Sequence, residues 1–252
     1  KKEMREAYRV LTSSEHFFKN DPVLYDTLLR AHYLSGESKD DAEVLFKKAI
    51  KLDPLFYKLY LTQAYYLLPR WYGKQGDIEK LADFVAAETA SLAGDEMYAR
   101  IAYSVFDMER IQTFTAYHFD WERIVKGFHD LEKRLPEAEK PMIELSLIAS
   151  VKKDRDAAKY AFSRMAPEWN DKTREIYGNS KKYFEAYRKW ALEEAGYSGD
   201  DELHRAAMTG DLKKLRYLVD EKKIPVDSKD WTGKTALYYA ARKNQGPAIF
   251  FL

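Results

Sequence analysis

Apolar residues recur at intervals of three and four along most of the chain, and runs of strictly alternating apolar and polar residues are absent. Intervals of three and four place apolar side chains on one face of an α-helix, so the pattern predicts helices. The eight prolines and eleven glycines fall between the periodic segments, where helices end. We therefore predict an all-α fold.

One spacing of a small or branched residue, an aromatic residue and an apolar residue occurs three times. The sets are Ala42, Phe46 and Ala49; Ile124, Phe128 and Leu131; and Ala158, Phe162 and Met165. Each set is followed by a proline, and the last two sets lie 34 residues apart. On a helix these offsets form a single stripe, in which the small residue allows a neighbouring helix to approach and the aromatic ring fills the groove. The repetition predicts a series of similar helix pairs.

The stripe and its period resemble the second helix of a tetratricopeptide repeat. Leu29 and Tyr33 fit the first helix of such a repeat, whereas Arg30 stands where the family usually keeps a small residue. An insertion at 68–77 and the segments 120–128 and 153–158 resemble a group of bacterial tetratricopeptide-like proteins. The resemblance implies an α-solenoid of helical hairpins over residues 1–196. An unrelated helical bundle is the alternative interpretation.

The segment 170–195 carries six aromatic or small residues at helical spacing, which predicts a helix that closes the end of this first domain. After it, Gly196 ends a helix and Asp200 and Asp201 begin another. We therefore expect the domain boundary between residues 196 and 197.

The last fifty residues contain two similar segments. Leu203 and Ala206 recur 34 residues later as Leu237 and Ala240, and the segment 230–241 resembles the opening of an ankyrin repeat, with Ala236 and Tyr238 in place of the usual Pro and His. The resemblance implies an ankyrin array over 197–252, with a capping repeat and the start of a second. It gives His204 a structural role, Gly210 and Asn244 left-handed turns, and Thr235 a helix cap. Because 248–252 is an apolar run, we expect further repeats to follow Leu252.

Composition excludes several classes of function. With 42 Lys and Arg against 41 Asp and Glu, the formal charge is +1, so we expect no nucleic-acid partner. The chain has no cysteine, and its five histidines form no metal-binding spacing, so we expect no metal and no cofactor. Phosphate-binding loops and nucleophile motifs are absent, and we expect a non-enzyme without catalytic residues. No apolar run reaches membrane-spanning length.

Two surfaces are candidates for binding a partner. The first is the ankyrin turn, where an exposed Trp would anchor an interface; its residues are Lys229, Asp230, Trp231, Thr232 and Lys234. The alternative is that Trp231 folds back onto the stack or onto the preceding loop. The second is the groove formed by first helices of the tetratricopeptide-like repeats; the resemblance places Thr27, Ala31, Leu34, Lys58, Leu61 and Tyr65 there. Arg70 and Trp71 of the insertion either border this groove or, with Tyr72, staple the core.

We expect the chain to bind another protein as a scaffold or adaptor, in a narrower version as an inhibitor or immunity-type protein, and to be monomeric by itself. An enzyme or small-ligand binder with an aromatic-lined pocket in the helical domain is the alternative from another class, and a self-assembling solenoid is a third. The bacterial resemblance implies a soluble compartment, the cytoplasm before the periplasm.

Overall fold

The structure is a computed structural model, and it describes residues 2–18, 20–36, 39–110, 113–166, 168–192, 201–229 and 234–252. The chain divides into two compact units, Lys1–Pro141 and Met142–Leu252. The domain boundary expected at residue 196 lies outside the described residues. Helices make up the regular structure of the described ranges, apart from one isolated antiparallel bridge between Lys229 and Thr235. The predicted all-α fold is confirmed.

The first unit consists of short and medium helices. In chain order they are α1 (Lys2–Ser13), α2 (Glu15–Phe18), α3 (Pro22–Ser35), α4 (Lys39–Leu52), α5 (Tyr57–Tyr66), α6 (Asp77–Ala93), α7 (Glu96–Glu109), α8 (Thr113–Ala116) and α9 (Trp121–Arg134). Helix α10 (Glu139–Lys152) crosses the division between the units. Aspartates begin two of the helices: Asp21 accepts a hydrogen bond from the backbone at the start of α3, and Asp120 does so at the start of α9.

Helices of the first unit pack in sequential pairs. Helices α3, α5 and α7 lie side by side, because α3 contacts α5 and α5 contacts α7. Each is followed by a second helix, α4, α6 or α9; α3 packs on α4, α5 on both α4 and α6, and α7 on both α6 and α9. First helices therefore contact first helices of the next pair, which is a solenoid-like arrangement.

The three predicted stripes are buried. Ala42, Phe46 and Ala49 lie on α4, and Ile124, Phe128 and Leu131 lie on α9, with none more than 3% exposed. In the second unit Ala158 and Phe162 are equally buried, and Met165 follows them at 7%. Close packing also explains Gly127, since a Cβ there would collide with the backbone oxygen of Asp95 and lie 2.6 Å from the Cβ of Ala99.

A buried carboxylate ties α7 to α9. Glu96, at the start of α7, is 0% exposed and accepts hydrogen bonds from Arg134 Nε and Nη2, both at 2.6 Å, and from Arg100 Nε at 2.8 Å. Burial disfavours the charged carboxylate, but the hydrogen bonds from Arg134 and Arg100 outweigh that penalty and lower the pKa of Glu96. The Arg100 guanidinium also lies 4.3 Å from the Tyr57 ring centroid, which extends the cluster to α5. We call Glu96, Arg100 and Arg134 the Glu96 clamp.

The second unit contains the remaining helices, α11 (Arg155–Arg164), α12 (Asp171–Tyr177), α13 (Lys181–Leu192), α14 (Asp201–Thr209), α15 (Leu212–Arg216), α16 (Ala236–Arg242) and α17 (Gly246–Phe251), and a π-helical turn over Tyr217–Glu221. The single helix predicted over 170–195 is wrong, because α12 ends at Gly178, whose φ of 61° leaves the helical region. Both pieces still use the aromatic spacing: Tyr177 on α12 and Phe184 on α13 are buried with their ring centroids 5.3 Å apart.

Helices α14 to α17 stack as two helical hairpins. Helix α14 packs on α16 and α15 on α17, around a core of Leu203, Ala206, Ala207, Leu215, Leu218, Ala236, Ala240 and Ala248. Gly210 and Asn244 have φ values of 73° and 55°, as the predicted left-handed turns require. Thr235 accepts a hydrogen bond from the Tyr238 N–H and caps α16. These turns and caps were predicted from the sequence and are confirmed.

Candidate protein-binding surfaces

The first helices of the first unit border an open cavity of about 320 Å³. It lies between α3, α5 and α7, and we call it the first-helix groove. Its lining residues are Arg30, Leu61, Thr62, Tyr65, Tyr66, Ser104, Asp107 and Met108. Three successive helix pairs therefore contribute to one surface depression, with aromatic and aliphatic side chains mixed with hydroxyl and charged groups.

Some of the residues predicted for this groove line it and others do not. Leu61 and Tyr65 are half-buried in its wall. Thr27, Leu34 and Lys58 are exposed on the same helices but are not part of the lining, and Ala31 is buried in the core. Sequence reasoning missed the contribution of α7. The helix signal after Gly94 was available, but nothing in the spacing showed which face of α7 meets α5.

Thr62, in the groove wall, has a hydroxyl group that forms no hydrogen bond in the described part of the chain. It is 3% exposed, and its hydroxyl oxygen is buried without a hydrogen-bond partner among the described residues. A threonine inside a helix commonly donates to the carbonyl four residues earlier; Thr27 and Thr89 do so, at 2.9 and 2.8 Å. The Thr62 hydroxyl lacks that partner and lies beneath the surface of the groove.

Asp26, beside the groove, accepts a hydrogen bond from the described residues through only one of its two carboxylate oxygens. Asp26 accepts a hydrogen bond from Arg30 Nε at 2.9 Å through Oδ2, while its buried Oδ1 has no partner in the described part of the chain. Burial also raises the pKa of the Tyr66 phenol in the groove wall. The groove wall therefore contains a neutral phenol and a buried hydroxyl, and a carboxylate lies beside it.

The insertion between α5 and α6 acts as a staple at one end of the groove. Arg70 Nη1 donates to Glu109 Oε1 at 2.8 Å, and the Tyr72 hydroxyl donates to the Tyr33 carbonyl oxygen at 2.6 Å. The Trp71 ring lies 5.7 Å from the ring of Tyr65, yet 48% of Trp71 is exposed. The insertion thus joins α3 and α7 and still presents an indole beside a groove residue.

The ankyrin turn is described only at its two sides. Asp230, Trp231 and Thr232 lie outside the described residues, whereas Lys229 is exposed and Lys234 is half-buried with its ammonium 5.0 Å from the Tyr238 ring centroid. His204 Nε2 lies 3.1 Å from the Ser228 carbonyl oxygen and 3.0 Å from that of Lys234, within reach to donate to either. The imidazole therefore holds both sides of the turn, which is the structural role predicted for it.

In the described ranges, no group of three or more His, Asp or Glu side chains could hold a metal ion. None of the helices within these ranges is both long and apolar enough to cross a membrane.

Comparison with known proteins gives one match. Residues 203–252 match the family described as Ankyrin repeats (many copies), which is typical of non-enzymatic proteins and in general a protein-binding repeat scaffold. Neither the curated proteins nor the solved structures contain a match to this chain. The helices before residue 203 have no family match. The match and the stacked hairpins agree: residues 203–252 of this all-helical protein are ankyrin repeats.

Proposed function

We propose that this protein is a scaffold that holds a protein partner through the first-helix groove, with the ankyrin turn as a second contact surface. The observation that carries the proposal is the groove itself, to which three successive helix pairs contribute aromatic, aliphatic and polar side chains. The ankyrin repeats at 203–252 support the same class of function.

The shape of the groove supports an extended or helical segment of a partner. Concave faces of helical solenoids bind such segments, because successive repeats offer side chains at regular intervals. Tyr65 and the half-exposed Trp71 supply aromatic surface for an apolar anchor of the partner.

We further propose that the pairs α3–α4, α5–α6 and α7–α9 are tetratricopeptide-like repeats and that they belong to a functional domain spanning 1–196, followed by ankyrin repeats from 197. The buried stripes on α4 and α9 and the side-by-side packing of α3, α5 and α7 support this reading. In it, the second helices carry the core stripe and the first helices carry the binding surface.

The test uses the purified chain as bait in an extract of its own cells, with site-specific cross-linking from residue 65 in the groove wall. A stoichiometric partner should be cross-linked at the groove and lost when Leu61→Glu places a charge in the wall. Val44→Glu is the matched control, since Val44 is 66% exposed on α4, outside the groove lining. Trp231→Ala tests the turn separately. Retention of the partner by Leu61→Glu, or its loss with both glutamate variants, would rule out the groove.

The proposal treats the protein as monomeric by itself. Static light scattering at two concentrations tests this point. A mass that rises with concentration, and that falls back to one chain in Leu61→Glu, would show that the groove binds a second copy.

A further inference from the structure

A second cavity lies in the other unit, at α13 and the residues that precede α12. Its volume is about 550 Å³, within the range of cavities that bind small organic ligands. The lining residues are Glu168, Trp169, Lys181, Phe184, Glu185, Arg188, Lys189 and Leu192. None of them belongs to the first-helix groove or to the ankyrin turn.

One side of this cavity is aromatic and firmly held. Phe184 is 1% exposed, and its ring lies 5.6 Å from the ring of Trp169, 5.9 Å from Phe162 and 5.3 Å from Tyr177. Phe184 is therefore fixed by the core, and the half-buried Trp169 lies against it. Such a wall favours an apolar or aromatic group, since burying that group removes apolar surface from water.

The other side of the cavity carries a guanidinium, that of Arg188. Arg188 is half-buried, its Nε is buried without an acceptor, and the side chain forms no hydrogen bond or ion pair among the described residues. Arg174, on the neighbouring α12, is by contrast paired and bonds to Asp171 at 2.9 Å. A guanidinium presents donors in a planar fork that matches a carboxylate, and no described residue supplies Arg188 with such a partner.

The charged residues that line the cavity indicate the net charge of a ligand that would fit it. The lining has three cations, Lys181, Arg188 and Lys189, and two carboxylates, Glu168 and Glu185. Lys181 and Glu185 form an ion pair at 3.5 Å and offset one another. By formal count the lining carries one positive charge in excess, which one carboxylate neutralises, whereas a phosphate dianion would leave negative charge in excess beside Glu168.

We propose that this cavity binds a carboxylate attached to an apolar or aromatic group. The carboxylate pairs with Arg188, and the apolar group lies against Trp169 and Phe184. A small free acid and the C-terminal residue of a peptide both carry this chemistry. Ligand binding at this cavity is separate from the scaffold role, and it involves no chemical step.

The experiment uses the full chain with 15N-labelled tryptophan and follows the Trp169 indole N–H by NMR, assigned with Trp169→Phe. The probes are 3-phenylpropanoate with its alcohol analogue 3-phenylpropanol, and N-acetyl-Gly-Phe with its C-terminal amide. At least one acid should shift the Trp169 signal saturably, and the neutral analogue should bind at least about tenfold more weakly. Arg188→Gln should cost a similar factor, while the matched control Arg174→Gln, outside the cavity, should bind like the wild type.

Each result of this experiment either supports or contradicts the proposed carboxylate site. Binding of only the small acid, or only the peptide, supports the site and identifies the source of the carboxylate. Equal binding of acid and neutral analogue, unchanged binding in Arg188→Gln, or no saturable shift up to about 10 mM of either acid would overturn it. Should Arg188→Gln fail to fold, as judged by circular dichroism, the comparison of acid with neutral analogue in the wild type decides.

Discussion

Removing Arg134 from the Glu96 clamp is expected to destabilise the packing of α7 on α9. Arg134→Ala deletes two hydrogen bonds of 2.6 Å to a carboxylate that is 0% exposed, and leaves Arg100 as its only partner in the clamp. Hydrogen bonds to a charged group contribute about 1.5–3 kcal/mol each. Because 32% of the Arg134 side chain is exposed, solvent screening reduces that sum, and we expect a loss of about 3 kcal/mol. Alanine has high helix propensity, so the loss does not come from α9 itself.

Hydrogen exchange measured by mass spectrometry reports this loss locally. Amides of α7 and α9 should lose protection by a factor on the order of 100, which corresponds to about 3 kcal/mol. Lys133→Ala is the matched control on the same helix: its side chain is 77% exposed and lies 3.5 Å from Asp130, so a change of about 0.5 kcal/mol or less is expected. Equal protection in Arg134→Ala and Lys133→Ala would refute the clamp.

The pH dependence of the clamp adds a second criterion. The pKa of Glu96 is lowered in the folded protein, so the clamp stabilises the protein fully above the carboxyl's unfolded pKa of about 4.3 and is lost as the pH falls through the folded value. The difference between wild type and Arg134→Ala should therefore be largest near neutral pH and shrink in acid. A difference that stays constant down to about pH 2 would contradict this assignment.

Three further changes test other contacts. Gly127→Ala should lower the free energy of unfolding by about 1–3 kcal/mol, because the new methyl group has no space beside Ala99; a melting curve unchanged from the wild type would contradict this. His204→Ala should cost about 1 kcal/mol and expose the amides around Lys234 to hydrogen exchange, and unaltered exchange there would exclude the turn-holding role. Burial raises the pKa of Tyr33 to about 12, so its stabilising effect is complete below about pH 10 and is lost as the pH rises through 12; Tyr33→Phe should show a flatter stability profile over that interval in urea titrations, and identical profiles would argue against it.

The helical stripes and the ankyrin turns were predictable because each depends on residues close in sequence. Phe46, Phe128 and Phe162 are buried as their spacing requires, and Gly210 and Thr235 act within their own turns. A helix that packs on one side carries apolar residues at a fixed spacing. This spacing can be recognised in the sequence without knowing which helices are its neighbours.

The remaining features depend on contacts between distant residues. Glu96 and Arg134 are 38 positions apart, and no spacing rule marks them as partners among the many charges of the chain. Thr62 was missed because its unpaired hydroxyl is visible only from atomic positions. The break at Gly178 was missed for another reason: the aromatic spacing continues from Tyr177 to Phe184 across two helices, so the periodicity concealed a turn that the glycine itself indicated.

The separation of core stripe from groove has a consequence for how this protein diverges among its relatives. Positions such as Phe46 and Phe128 on the second helices are constrained by burial, so substitutions there are removed by loss of stability. Leu61 and Tyr65 on the first helices carry no comparable packing constraint. Relatives that bind the same partner should therefore agree at the groove positions as well as at the stripe. Relatives that have changed partner should keep the stripe and differ first at the groove positions.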